Sequence, residues 1–159
     1  MFKIFMWLIL LGATSGLWQT SLVAPGISVE APGKLIGGGQ TPPGIDAFLL
    51  LRADDVVYVA AEFTPGTDQT PQEMLDSFTT GMVHPGRGTL EWQKTITLQG
   101  CPGREVQYTV PGLLSHRSRA FIVDKSIIQA EVVWKPGRPA PATLPRFLNS
   151  LKLRTTRAP

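Results

Sequence analysis

The sequence is poor in the side chains that do chemistry. Its 159 residues contain one cysteine, Cys101, and two histidines, His84 and His116. A single thiol closes no internal disulfide, so stability has to come from the core, and without a second cysteine a zinc–thiolate cluster is disfavoured. Charge is also scarce: 17% of residues are charged, and 15 Lys and Arg against 12 Asp and Glu leave a formal charge of +3. No basic block is interleaved with aromatics, so nothing points to a nucleic-acid partner. The triplet Gly37-Gly38-Gly39 is not followed by Gly-Lys-Ser or Gly-Lys-Thr, and it reads as a turn or linker rather than a phosphate cradle. No catalytic signature stands out, and no cofactor or metal is expected.

A membrane-spanning run is missing as well, although the chain begins with an apolar stretch. Lys3 precedes Ile4-Phe5-Met6-Trp7-Leu8-Ile9-Leu10-Leu11, which loosens into Gly12-Ala13-Thr14-Ser15-Gly16. This is the pattern of a secretory signal. Ala13 and Ser15 offer small residues for a cut after Ser15, and Leu22 and Ala24 offer a second site, weakened by Pro25. The competing reading is an uncleaved anchor, but Thr14, Ser15, Gln19, Thr20 and Ser21 interrupt the run before the roughly 18 to 20 residues a span needs. The sequence therefore predicts residues 1–24 as a signal peptide or N-terminal anchor and an exported, periplasmic or otherwise extracytoplasmic protein. Membrane contact is expected only through that segment, if it stays uncleaved.

What is present describes a foldable domain. Hydrophobic residues make up 43% of the chain, enough for one core, expected over residues 25–153 with a frayed tail at 154–159. Ile27 to Ala31 alternates like a short strand, and Leu35 to Gly44 reads as a loop. Ala47 to Leu51 and Val56 to Phe63 form a hairpin around Ala53-Asp54-Asp55. Thr70-Pro71-Gln72-Glu73 is a capping box that starts a helix, with Met74, Leu75, Phe78 and Met82 as its core stripe and Gln72, Asp76, Thr79 and Thr80 facing away. Leu90 to Leu98, Arg104 to Val110, Arg117 to Val123 and Ile127 to Trp134 form an antiparallel meander, the first two strands joined by a bend at Gly100-Cys101-Pro102-Gly103. A second helix, capped by Thr143, places Leu144, Phe147, Leu148 and Leu151 on one face and packs on the sheet. These elements make an α+β domain with a mainly antiparallel sheet of about six to seven strands and two main helices.

Few residues qualify as site candidates. Arg117 and Arg119 are two apart on one strand and share a face, so both could present guanidiniums to a carboxylate or phosphate; the alternative is cross-strand pairing with Glu131 or Glu105. Cys101 is a candidate reactive thiol if Arg104 or His84 depresses its pKa, against the reading of a small side chain tolerated in a bend. Pairs of Cys101 with His84 or His116, and a metal site of both histidines with Asp54, are the remaining constellations.

The order of short motifs resembles the PsbP-like and Mog-type superfamily of small α/β/α sandwich domains. The motifs are Val29 with Pro32-Gly33, then Leu98-Gln99-Gly100-Cys101-Pro102-Gly103-Arg104-Glu105, then Arg119-Ala120-Phe121 ahead of Ile127-Ile128-Gln129. Arg146-Phe147-Leu148-Asn149-Ser150-Leu151-Lys152-Leu153 closes the series. In that superfamily PsbP proteins are non-catalytic extrinsic subunits or assembly factors of photosystems, Mog-type proteins bind a small GTPase, and many bacterial relatives are exported. The resemblance implies a non-enzymatic exported protein that works as an interaction or assembly module with an envelope protein partner. The alternative is a binder of small ligands or anions, or a thiol-dependent enzyme using Cys101.

Overall fold

The computed structural model describes residues 17–37, 45–66, 68–83 and 88–154. Residues 1–16 of the expected leader over 1–24, most of the glycine- and proline-rich segment after Gly37, and His84 lie outside them. The elements run β1 (Gln19–Ala24), β2 (Ile27–Ala31), β3 (Ile36–Gly37), β4 (Ile45–Ala53), β5 (Val56–Phe63), α1 (Pro71–Val83), β6 (Thr89–Leu98), β7 (Cys101–Val110), β8 (Leu114–Val123), β9 (Ser126–Trp134) and α2 (Leu144–Asn149). Strands β3 to β9 form a seven-stranded sheet in the order β3-β4-β5-β9-β8-β7-β6, and β1 and β2 form a separate hairpin. Every paired neighbour is antiparallel.

The meander expected over Leu90 to Trp134 is present as β6 to β9, and it folds back so that β9 pairs with β5 in the middle of the sheet. This explains why β9 is buried along its whole length and reads as almost continuously apolar. Two hairpins close on two-residue turns whose residues both have positive φ: Asp54 and Asp55 at 49° and 64°, Gln99 and Gly100 at 50° and 80°. Such turns match the right-handed twist of the flanking strands.

The second turn corrects the expected bend. Cys101 is already the first residue of β7, and the reversal is made by Gln99-Gly100. Gln99 is held there by its own amide, which donates to the Leu153 carbonyl at 3.0 Å and accepts from the Leu153 N–H at 2.8 Å. Gly103 is needed for a different reason: a Cβ on it would sit 2.6 Å from the Ala120 carbonyl and closer still to the Phe121 ring.

The capping box forms as predicted. The Thr70 N–H donates to Glu73 Oε2 at 2.8 Å, and the Glu73 N–H donates back to Thr70 Oγ1 at 3.3 Å. Thr79, expected to face away, is buried instead; it donates to the Leu75 carbonyl at 2.8 Å and accepts from Arg104. The closing helix is shorter than expected. Thr143 sits at its N-cap without a side-chain cap bond, its hydroxyl being taken by Tyr58 at 2.6 Å. After Ser150 the chain runs extended, with Lys152 bridged to Ser28. Arg154, expected in a loose tail, is held by Glu62 at 3.0 Å and Asp124 at 3.4 Å. Strand β1 pairs with β2 ahead of the expected boundary at residue 25; a cut after Ser15 leaves this hairpin whole, whereas a cut after Ala24 removes β1.

Side chains alternate between the two sheet faces. On the front face the β1–β2 hairpin and α2 cover a core that includes Ile27, Val29, Ile128, Val132, Phe147 and Leu148. On the back face α1 lies over β7 and β8, with Met74 and Leu75 against Ala120, Ile122 and Ile127. Among the described residues no helix is long and apolar enough to cross a membrane.

Candidate functional site

The two arginines singled out from the sequence lie on the front face, on β8, where α2 ends and the sheet is open. Cross-strand register arranges their surroundings in rungs. Arg119 faces Glu105, which faces Lys94. One rung further out, Arg117 faces Gln107, which faces Trp92. Both arginines are therefore on one side, as their spacing predicted.

They differ in how they are satisfied. Arg119 Nε donates to Glu105 Oε2 at 2.9 Å, and its Nη1 donates to Asn149 Oδ1 at 2.7 Å and to the Leu148 carbonyl at 3.3 Å. Glu105 has only 3% of its side chain exposed and takes Lys94 Nζ at 3.3 Å as a second cation. Arg119 thus ties the sheet to the end of α2 and neutralises a buried carboxylate, a structural occupation rather than a free anion-binding group. The cross-strand alternative holds for Glu105 and fails for Glu131, which points to the back face.

Among the described residues no carboxylate forms a salt bridge with Arg117. Its Nε donates to Gln107 Oε1 at 2.9 Å, its Nη2 shares that oxygen, and its guanidinium lies 4.9 Å from the centre of the Trp92 ring. Lys94 Nζ is 5.6 Å from the same ring. The Gln107 amide donates in turn to Glu91, which also accepts from Thr109. Those hydrogen bonds, Thr109 first and Gln107 next, hold the Glu91 carboxyl below the usual carboxylate range. Arg117 is therefore a half-buried cation fixed by a neutral amide and an indole face. Beside these rungs lies a notch of about 240 Å³ with an apolar wall of Ile96, Leu98, Phe121 and Leu148 and a polar wall of Lys94, Glu105, Arg119 and Asn149.

The thiol candidate fares differently. Cys101 is 8% exposed and belongs to the front core. Burial first, and the nearby Asp124 second, push its pKa up, the opposite of what a reactive thiolate needs. Arg104 is turned to the back face, where it pairs with Asp76 at 2.6 Å. His116 is also on the back face and pairs with Tyr108, far along the strand from Cys101, so the Cys101–His116 dyad does not form. The pairing with His84 falls outside the described residues. Asp54 and Asp55 occupy the β4–β5 turn, where Asp55 pairs with Lys135 at 2.9 Å. Among the described residues no three His, Cys, Asp or Glu side chains gather as metal ligands.

Sequence reasoning missed a second polar group, on the back face beneath α1. Glu131 accepts from the Tyr108 hydroxyl at 2.9 Å and from Gln129 Nε2 at 3.3 Å, and lies 3.0 Å from His116 Nδ1. Gln129 also donates to Ser118 Oγ at 3.0 Å and reaches Met82 of α1. Burial, reinforced by Glu131, pushes the Tyr108 phenol far up, so it remains a donor. The available signal was Gln129 and Glu131 at alternate positions of an otherwise apolar strand.

These features define a small α+β domain on one antiparallel sheet, with a cationic and aromatic patch on its open front face. No protein-family model matches the sequence, and no curated protein matches it. Among solved structures, the chain is similar to the solution structure of cyanobacterial PsbP (CyanoP) from Synechocystis sp. PCC 6803, at 14% identity and a TM-score of 0.63, over 89% of this chain and 95% of that one. It is also similar to PA94 from Pseudomonas aeruginosa, a protein of unknown function, at 12% identity and a TM-score of 0.47, over 75% of this chain and 83% of that one. The fold is PsbP-like, as the order of motifs implied. At such identity the likeness extends to the fold alone.

Proposed function

We propose that this chain is a non-enzymatic, exported module of the cell envelope, an α/β/α sandwich of PsbP type that meets a partner protein through the open front face of β6, β7 and β8. The observation that carries this is the Trp92 indole beside Arg117 at 4.9 Å and Lys94 at 5.6 Å on a sheet face that α2 leaves open. Tryptophan and arginine dominate binding hot spots because they offer large contact area and several donors at little entropic cost once they are fixed. Here the cross-strand rungs fix both before any partner arrives, which lowers the cost of association. The export half rests on the apolar leader at Lys3 to Leu11 and is tested by fusing residues 1–24 to a reporter that is active only outside the cytoplasm.

The interaction half is tested with a photo-crosslinking residue at position 94 and, as a control, at position 125 in the β8–β9 turn. A protein adduct specific to position 94 and lost on Trp92→Ala supports the reading. Adducts that are the same from both positions, or none from position 94 in envelope preparations, overturn it.

A further inference from the structure

We infer that the partner segment on this face is acidic, with a carboxylate seated on Arg117 and an apolar side chain in the adjoining notch. This rests on the interaction reading above. Among the described residues Arg104, Arg119, Arg146 and Arg154 each have a carboxylate within ion-pairing distance, while Arg52 and Arg138, which have none, are exposed on a strand end and a turn. Arg117 is half-buried; among the described residues its contacts are Gln107 and the Trp92 ring, and the Glu91 carboxylate is near enough to feel its charge without forming an ion pair. Nε and Nη2 are both directed at Gln107 Oε1, and among the described residues Nη1 makes no hydrogen bond, so it is the donor a ligand would take. A guanidinium held rigid on a ring is suited to a carboxylate, since planar donors meet planar acceptors without further ordering. Lys94, with 56% of its side chain exposed, shares Glu105 with Arg119, so that rung carries one net positive charge beside the Trp92 ring.

The notch supplies the second contact. Its apolar wall begins at Ile96, which is two rungs inward from Trp92 on the same face of β6. A segment lying along β6 repeats its same-face side chains every ~6.6 Å, two residues of extended chain. An acidic residue over Arg117 therefore places its apolar same-face neighbours toward Ile96 and Leu148. The overall charge of +3 favours approach of such a segment. The edge of β6 is not the docking element: the register shift between Leu90 and Trp92 and the lysine at its middle are devices that discourage pairing of a further strand.

The test uses the full chain, isotopically labelled, with an acetylated, amidated peptide containing Glu and Leu separated by alanines, read from the Trp92 indole signal. Replacing the peptide Glu by Gln, or making Arg117→Gln in the protein, should weaken binding about tenfold, as loss of a charge-assisted bond requires. Lys94→Gln should weaken it severalfold, Lys125→Gln should not change it, and Glu91→Gln should tighten it by removing a competing charge. That last sign distinguishes ligation from a merely structural role. Equal binding of the Glu and Gln peptides overturns the inference, as does inorganic phosphate moving the Trp92 signal at the same concentration. If position 94 still captures a specific partner while the acidic peptide fails, the acidic-segment inference falls and the interaction module stands.

Discussion

Replacing Arg119 by alanine separates a structural arginine from a ligand-binding one. The variant leaves Glu105, with 3% of its side chain exposed, facing only Lys94 at 3.3 Å, a lysine that is itself 56% exposed. Removing one partner of a buried ion pair costs about 3 to 5 kcal/mol, because the remaining charge stays desolvated. Two features lower that figure. Arg119 is 23% exposed, and Lys94 remains in place. Against this, the variant also loses the bonds to the Leu148 carbonyl and Asn149, both of which tie α2 to the sheet. A loss of about 3 kcal/mol follows, or a shift of roughly 1.5 M in the urea midpoint at a slope of about 2 kcal/mol/M. Equilibrium urea unfolding followed by tryptophan fluorescence measures it. The double variant Arg119→Met with Glu105→Gln removes both charges, and it should lie within about 1 kcal/mol of the parent, since uncharged groups of similar size restore the balance. An Arg119→Ala loss below about 1 kcal/mol, or a double variant as damaged as the single one, would refute this account of the pair.

The remaining expectations concern the central hairpin and α1. Gly103→Ala brings a Cβ within 2.6 Å of the Ala120 carbonyl, a backbone atom that cannot swing aside. It should cost at least about 2 kcal/mol, whereas Gly100→Ala, which meets open space but has φ of 80°, should cost only about 1 to 2 kcal/mol; thermal melts followed by circular dichroism compare the two. Cys101, buried and with its pKa pushed up, should label with a thiol reagent only slowly in the native protein and at the free-thiol rate in urea, and fast native labelling would restore it as a reactive group. Glu73 is held below the ordinary carboxylate range by the Thr70 N–H and hydroxyl. Because the folded pKa is the lower one, its stabilisation is present above the unfolded value and is lost as pH falls through the folded value. Glu73→Gln should therefore be less stable than the parent at neutral pH and converge with it in acid, as read from melts across a pH series.

How much of this was legible in the sequence depends on whether a feature is local. The capping box, the meander and the Asp54-Asp55 turn were readable because each is decided within a few residues by hydroxyls, alternation and tight-turn chemistry. Pro102 and Gly103 look like turn formers, which draws the expected bend one to three residues past the turn at Gln99-Gly100. The place of Gly103 in a strand has a tertiary cause, the close approach of Phe121 and Ala120. Thr143 reads as a cap because its position allows it, and only the fold brings Tyr58 to compete for the hydroxyl. The truncation of α2 after Asn149 has the same kind of origin, since the chain beyond Ser150 finds backbone partners at Ser28 that a continued helix would lack.

The site was half legible for a more particular reason. Alternation along Leu90, Trp92, Ile96 and Leu98 assigns all four to one buried face and leaves Lys94 as an anomaly. In the fold the register of β6 shifts between Leu90 and Trp92. Leu90 therefore pairs with Tyr108 and belongs to the back face, while Trp92, Lys94, Ile96 and Leu98 share the front. Lys94 is then no exception, because the front face at that rung carries Glu105 and Arg119. A bulge adds a residue to one strand and moves everything on one side of it to the opposite face, which periodicity alone cannot reveal. Here it brings an indole under Arg117 and puts Lys94 on the same side, so the one irregularity in β6 is what turns two spaced arginines into a patch with a ring at its centre.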